Sequence, residues 1–147
     1  MRNGNVLVVE DDDTIRRLLV EFLRAHESVG VDGARDGVEA LHQIATTPYA
    51  VVILDMLMPK MSGVDVLDSL EALTSDPSVK TLDDPPAVLV ITSAEASALP
   101  DSAIFQRSPR MVRRVFRKPI DVEALLDRIG EFLLPGSAPL SVQLPIN

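Results

Sequence analysis

YAVVIL, residues 49–54, is the strongest strand signal in this chain. Its apolar residues are consecutive rather than alternating with polar ones, a pattern typical of a strand buried on both faces. Two similar runs flank it along the chain, VLVV at 6–9 and AVLVI at 87–91. Strands of this kind occur almost only in parallel sheets whose two faces are covered by helices. The central run therefore predicts an α/β fold.

Segments with helical periodicity separate the strands. The clearest helix follows the first strand, where either Asp12 or Asp13 is in position to cap it. Its apolar face consists of Ile15, Leu18, Leu19, Phe22 and Leu23, which recur at the spacing of one helix face.

Weaker patterns complete the alternation of strands and helices. They predict helices over about 37–45, 63–73 and 121–133, with strands near 28–32 and at 111–116. A polar loop is expected over 74–86, and the stretch 94–110 is ambiguous between helix and loop. The order predicts a doubly wound, five-stranded parallel sheet with helices on both faces, forming one domain over 5–134. Residues 135–147 are rich in proline and are expected to form an extended tail.

Composition excludes several classes of function. The 147 residues are 46% apolar, with 14 basic and 22 acidic residues and a net charge of −8, so sequence-independent nucleic-acid binding is disfavoured. There is no cysteine, which excludes disulfides and thiolate metal sites. No apolar run approaches the ~20 residues of a membrane span. A strand pattern that begins at residue 5 leaves no room for a signal peptide, so we expect a cytoplasmic protein.

Polar residues follow each of the clear strands directly. Glu10 and Asp11 come after the first strand and Asp55 after YAVVIL, while Thr92 and Lys118 come after the last two strands. The carboxyl ends of parallel strands share one edge of the sheet, and ligands bind there in folds of this class. We therefore expect these side chains to form one site.

Clustered carboxylates point to a cation and to phosphate chemistry. Two unit charges ~4 Å apart repel by ~4 kcal/mol at an effective dielectric of about 20, and a divalent cation removes that cost. Oxygen-only ligands favour Mg²⁺, which commonly binds phosphate oxygens as well. The pattern predicts phosphoryl transfer with Asp55 as the nucleophile, and with Thr92 and Lys118 contacting the phosphoryl oxygens.

Four motifs resemble the receiver domain of two-component response regulators. They are LVVEDD at 7–12, ILDMLMPKMSG at 53–63, VITSAE at 90–95 and FRKP at 116–119. The resemblance covers nearly the whole of residues 5–134 and implies a flavodoxin-like (CheY-like) sheet with strand order 2-1-3-4-5. It also implies a cis peptide before Pro119.

The resemblance implies a role for each site residue. Asp55 resembles the phosphoacceptor, and Mg²⁺ would be held by Glu10, Asp11, Asp55 and the backbone carbonyl of Leu57. Thr92 resembles the switch hydroxyl and Lys118 the phosphate-contacting lysine. A sensor histidine kinase or a phosphotransfer protein would donate the phosphoryl group. The domain would be a phosphorylation-dependent signalling switch rather than an enzyme, with intrinsic phosphotransfer and autodephosphorylation activity.

The sequence departs from the family pattern in three places. Val115 stands where the family commonly has an aromatic residue, so a signal would travel by a backbone shift or through Phe116. The spacer between Asp55 and Thr92 is longer than usual. The usual Gly-Ala turn before the fifth strand is missing, so we expect a short or irregular fourth helix.

Other functions remain as alternatives. A haloacid-dehalogenase-type phosphatase requires a second acid where Leu57 stands, and four consecutive acids at 10–13 would repel the phosphate of a mononucleotide. A receiver-like module that binds proteins without being phosphorylated is the main alternative. The sequence leaves open the kinase, the output, the oligomeric state, and whether the receiver acts alone or was cut from a longer protein.

Arginines surround the predicted fifth strand, at positions 107, 110, 113, 114 and 117. They either protect an edge strand against pairing with other chains or bind an acidic partner. In the second case the surface formed by the fourth helix, fifth strand and fifth helix would bind the downstream protein.

Overall fold

The computed structural model describes residues 4–26, 30–93 and 99–133. The predicted tail at 135–147 lies outside these described residues. The strands are β1 (Val6–Val9), β2 (Val31–Ala34), β3 (Val51–Asp55), β4 (Ala87–Thr92) and β5 (Val112–Arg117). The α-helices are α1 (Asp13–His26), α2 (Gly37–Thr46), α3 (Gly63–Thr74), α4 (Asp101–Arg107) and α5 (Val122–Leu133).

The strands form one parallel sheet in the order β2-β1-β3-β4-β5. This confirms the predicted doubly wound α/β fold. In the register of the three central strands, Val9 lies beside Leu54 and Leu54 beside Val90. The residues that follow these strands therefore emerge at one level along the same edge of the sheet.

Alternate residues of the strands pack on opposite faces of the sheet. Leu7, Val52 and Val90 face a core that includes residues of α2, α3 and α4. Val8 and Ile53 face a second core that includes residues of α1 and α5. Because every residue of β1, β3 and β4 is buried, the sheet is a rigid base for the groups at its carboxyl edge.

Two weakly patterned regions differ from the sequence prediction. Strand β2 begins at Val31 rather than near residue 28, and only Val31 and Ala34 of its four residues are buried. The segment after α3 is more than a polar loop, since it forms a short 3₁₀ helix at Lys80–Leu82. Leu82 is buried in the core, and the hydroxyl of Thr81 donates a hydrogen bond of 2.7 Å to the carbonyl of Ile44. This long-range contact fastens the segment to α2.

Helix α4 has only seven residues, which agrees with the expected short fourth helix. It begins directly after Pro100, which is the N-cap residue and has an extended backbone. Among the helices that the structure describes, none is long and apolar enough to span a membrane.

Gly63 allows α3 to start against the end of β3. A Cβ atom at this position would lie 2.5 Å from the sulfur and 2.6 Å from the Cα of Met56. The Gly63 N–H donates to the Met56 carbonyl at 3.1 Å, and Ser62 and Asp65 form a capping box at the helix start. These contacts fix the segment that leaves Asp55, which explains the glycine at the end of the motif 53–63.

Candidate functional site

Three carboxylates meet at the carboxyl edge of the sheet. One oxygen each of Glu10, Asp11 and Asp55 can be chosen so that all lie within 4.8 Å of one another. Glu10 is 4% exposed and Asp55 is 2% exposed, whereas Asp11 is exposed to solvent. The cluster follows from the parallel register of β1 and β3, in which Val9 pairs with Leu54 and the next residues are Glu10 and Asp55. It is a group that could bind a metal ion.

Asp12 has a different task from its acidic neighbours. Its Oδ1 accepts hydrogen bonds from the N–H groups of Thr14 at 2.9 Å and Ile15 at 3.0 Å. These bonds satisfy free donors in the first turn of α1, so Asp12 rather than Asp13 caps the helix. The side chain of Asp13 instead forms an ion pair with Arg16.

Asp55 is held from two sides. The backbone N–H of Leu57 donates to Asp55 Oδ1 at 3.1 Å, and the Lys118 ammonium lies 3.7 Å from Asp55 Oδ2. The Leu57 side chain points away from the core and is 58% exposed. Only the Leu57 backbone, therefore, is tied to the carboxylate.

The ends of β4 and β5 bring Thr92 and Lys118 to the same edge. Thr92 is buried and lies in register with Arg117, and the Lys118 N–H donates to the Thr92 carbonyl at 2.9 Å. The peptide bond between Lys118 and Pro119 is cis. Lys118 thus contacts both the neighbouring strand and the Asp55 carboxylate.

Burial dominates the electrostatics of the acidic cluster. It raises the pKa of Glu10 from 4.5 to about 8, and the adjacent Asp55 carboxylate acts in the same direction. The N–H of Asp12, which donates to Glu10 Oε2 at 3.1 Å, opposes this rise in pKa. Two buried acids lie beside a single half-exposed lysine, so the positive charge of the site does not balance the negative charge of its ionised carboxylates. Oxygen ligands with this charge suit a hard divalent cation such as Mg²⁺.

Sequence reasoning missed Arg16. Its Nη1 donates a hydrogen bond of 2.8 Å to the carbonyl of Glu10, so a residue of α1 fixes the loop that carries the acids. In the sequence, Arg16 stands one helical turn after Asp12, which places it on the side of α1 nearest the loop. The search for apolar periodicity does not detect a charged residue at such a position.

Most arginines around β5 already have partners within the protein. Strand β5 is an edge strand, where charge hinders pairing with other chains. The contacts are Arg107 with Asp68 at 2.9 Å, Arg110 with Thr74 at 3.2 Å, Arg117 with Asp101, and Arg113 over the Phe132 ring at 5.7 Å. Arg114 is exposed and has no such contact with the described residues.

Val115 and Phe116 lie on opposite faces of the sheet. Val115 packs against the core shared with α4, whereas Phe116 packs against the core shared with α5. Phe116 therefore does not take the place of the missing aromatic residue next to α4, and the route through Phe116 that the sequence suggested is not supported by its packing.

Comparisons with known proteins identify the family of this chain. A family model for the response regulator receiver domain matches residues 6–130. The chain is 26% identical over 129 residues to the response regulator ArlR of Staphylococcus epidermidis, with 88% of this chain and 52% of ArlR covered. It is 32% identical over 131 residues to protein-glutamate methylesterase/protein-glutamine glutaminase 4 of Myxococcus xanthus, covering 82% of this chain and 37% of that protein. The receiver domain of the Francisella response regulator 1452 superimposes with a TM-score of 0.69 at 24% identity, covering 89% of this chain and 97% of that one.

The chain belongs to the response regulator receiver domain family. Such domains are signalling switches of two-component systems. The chain spans about half the length of ArlR, 52%, and 37% of the methylesterase.

The raised pKa of Glu10 predicts how the metal-free protein depends on pH. Because the folded state favours the protonated acid, its contribution to stability is present below pH 4.5 and is lost as the pH rises towards about 8. In the presence of a chelator at pH 8, we expect Glu10→Gln to raise Tm by about 3–5 °C, the effect of ~1 kcal/mol in a chain of this size. Mg²⁺ should stabilise the wild type more than this variant.

Thermal unfolding followed by circular dichroism between pH 5 and pH 8 measures both effects. Glu21→Gln is the matched control, since Glu21 is an exposed acid on α1 and its loss changes the net charge equally. Equal changes in Tm for the two variants would show that Glu10 carries no special cost of burial.

Proposed function

We propose that this receiver domain accepts a phosphoryl group on Asp55 in a reaction that requires Mg²⁺. The observation that carries the proposal is the position of the Asp55 carboxylate, which lies within 4.8 Å of oxygens of Glu10 and Asp11 and 3.7 Å from the Lys118 ammonium. In the proposed arrangement the three carboxylates and the Leu57 carbonyl hold Mg²⁺. Thr92 and Lys118 contact the phosphoryl oxygens.

The proposed transfer is an in-line displacement at phosphorus. A carboxylate oxygen of Asp55 forms the new P–O bond while the P–N bond of a phosphohistidine breaks, and the leaving imidazole nitrogen takes up a proton. When bound, Mg²⁺ neutralises the negative charge on the carboxylates and the phosphoryl group. The Leu57 N–H orients Asp55 for attack, and Lys118 supplies positive charge to the transferring oxygens.

The donor in this proposal is a sensor histidine kinase or a phosphotransfer protein, and the reaction takes place in the cytoplasm. The mixed charge of the site supports a phosphorylated donor, because a carboxylate attacks phosphorus only when cations offset the repulsion between the two anions. Phosphorylation then changes the binding of a downstream protein, and the domain itself does not contact nucleic acid. The net charge of −8 supports this last point.

We expect Asp55 to be the only residue that becomes phosphorylated. Treatment with a small phosphodonor and Mg²⁺ should add one phosphoryl group to the intact mass of the wild type and none to Asp55→Asn. A chelator should abolish the addition. The matched control is Asp12→Asn, because Asn also caps helices and Asp12 makes its bonds to α1 rather than to Asp55.

Labelling that persists in Asp55→Asn would contradict this assignment. A wild type that folds and binds Mg²⁺ but never takes a label from the phosphodonor or from a histidine kinase would favour the protein-binding module that needs no phosphorylation.

The phosphorylated state is expected to last for minutes to hours. Hydrolysis requires a water aligned behind the acyl phosphate, and polar side chains two residues after Asp55 and Thr92 help to hold it. Leu57 stands at the first position and has no hydrogen-bonding group. Ala94, at the second position, lies outside the described residues.

Leu57→Asn should therefore shorten the lifetime of the phosphorylated protein several-fold. The exposed Leu57 side chain leaves room for the amide without disturbing the core. Loss of label can be followed by intact mass after the donor is removed, with Leu57→Met as the apolar control. Decay of the wild-type label within seconds would contradict the argument from side-chain polarity.

The downstream partner in this proposal binds the surface formed by α4, β5 and α5. Internal contacts occupy most arginines of this surface, so Arg114 is the residue available to an acidic partner. Reversing the charge at Arg114 tests this better than reversing all five, because the others also stabilise the fold.

We expect Arg114→Glu to weaken capture of the partner by the phosphorylated protein and to leave phosphorylation of Asp55 unchanged. The loss should be smaller at high salt, since salt screens exposed charges. Arg17→Glu, on the exposed side of α1, is the matched control. Equal capture by both variants, measured by pull-down, would mean that Arg114 only protects the edge of the sheet.

A further inference from the structure

Arg16 connects α1 to the loop that carries the acidic residues. Its guanidinium donates to the Glu10 carbonyl through Nη1 at 2.8 Å and forms an ion pair with Asp13 through Nη2. The side chain is only 19% exposed, so the hydrogen bond to the carbonyl is largely shielded from water. Arg16 is therefore a largely buried hydrogen-bond donor rather than a solvated surface charge.

Strand β2 supports the stem of the same side chain. An ideal Cβ at Gly33 would lie 3.1 Å from Cδ and 3.3 Å from Cγ of Arg16, closer than most such contacts. Because glycine has no side chain, the aliphatic part of Arg16 can pass over Gly33 at the edge of the sheet. This support directs the guanidinium towards Glu10.

Both backbone polar groups of Glu10 are fixed as a result. Its N–H donates to the Ala34 carbonyl at 3.0 Å, which continues the pairing of β1 with β2. Its carbonyl lies just past the last residue of β1 and is held by Arg16. The two peptide units on either side of the Glu10 Cα atom therefore each have a hydrogen bond, and both Glu10 and Asp11 have a carboxylate oxygen close to Asp55.

We propose that Arg16 is a positioning residue for the metal site, holding Glu10 and Asp11 in the geometry that binds Mg²⁺. This inference rests on the proposed Mg²⁺-dependent function. Carboxylates that repel one another would separate if the loop were free to turn. A hydrogen bond to the carbonyl between them resists that separation before the cation arrives. Groups that orient metal ligands in this way commonly change metal affinity by about 10- to 100-fold when they are removed.

The test measures Mg²⁺ binding directly by isothermal titration calorimetry on the unphosphorylated protein. Arg16→Met keeps the stem but removes the guanidinium, and we expect it to weaken Mg²⁺ binding by about 10-fold. Arg17→Met removes the same charge from the neighbouring exposed position and should bind Mg²⁺ as the wild type does. Comparison of these two variants separates the loss of the hydrogen bond to the Glu10 carbonyl from the loss of one positively charged side chain.

Two further variants address the geometry. Arg16→Lys keeps the charge without the planar fork and should restore only part of the affinity. Gly33→Ala leaves Arg16 in place but presses on its stem, and should weaken Mg²⁺ binding in the same direction by a smaller factor. Gly33→Ala changes no residue of α1. Its Mg²⁺ affinity therefore tests the role of Arg16 even if Arg16→Met folds poorly.

Phosphodonor labelling gives a second readout. With Asp55, Thr92 and Lys118 intact, the Arg16 variants should need more Mg²⁺ for half-maximal labelling but should reach the wild-type rate at saturating Mg²⁺. A lower Tm with unchanged Mg²⁺ affinity would overturn the inference and leave Arg16 a purely structural residue. If the wild type itself does not bind Mg²⁺, the proposed function fails and the inference fails with it.

Discussion

The site depends on the burial of two neighbouring acids, Glu10 and Asp55, at one edge of the sheet. The parallel register of β1 and β3 brings the acids together, because Val9 pairs with Leu54 and the next residues are Glu10 and Asp55. At short range in a poorly solvated site, their repulsion is worth several kcal/mol unless a proton or a cation offsets it. Lys118 and the N–H groups of Leu57 and Asp12 supply part of the compensation. A divalent cation would offset the repulsion that remains.

The sheet was predictable because each central strand is specified by a short run of neighbouring residues. Consecutive apolar residues at 6–9, 51–54 and 87–91 specify strands buried on both faces, and parallel strands then place Glu10, Asp55 and Thr92 at one edge. The regions that sequence reasoning placed poorly depend on distant contacts. Strand β2 is an edge strand with an exposed Asp32. Leu82 is anchored by helices that lie elsewhere in the sequence.

In the site, too, some features depend on local sequence and others on contacts between distant residues. Residue type and position predicted which acids lie at the carboxyl edge, but only geometry separates Asp12, which caps α1, from Asp11, which faces the cluster. The arginines around β5 show the converse case. In sequence they form a cluster without evident partners, whereas in the structure Arg107 and Arg117 pair with acids on α3 and α4. Charge patterns along a chain do not reveal which charges are already compensated across elements.

The connection from the site to α4 follows from the alternation of β5. Val115 faces α4 but is too short to move between buried and exposed positions as a large aromatic ring does, and Phe116 faces α5. Arg117 lies beside Thr92 in the register and directly precedes Lys118, and its guanidinium pairs with Asp101 in the first turn of α4. Within the described residues, the backbone of β5 and this ion pair join the groups around Asp55 to α4. The contact between Arg117 and α4 is therefore a charged one, which is sensitive to salt, and not the packing of an aromatic side chain.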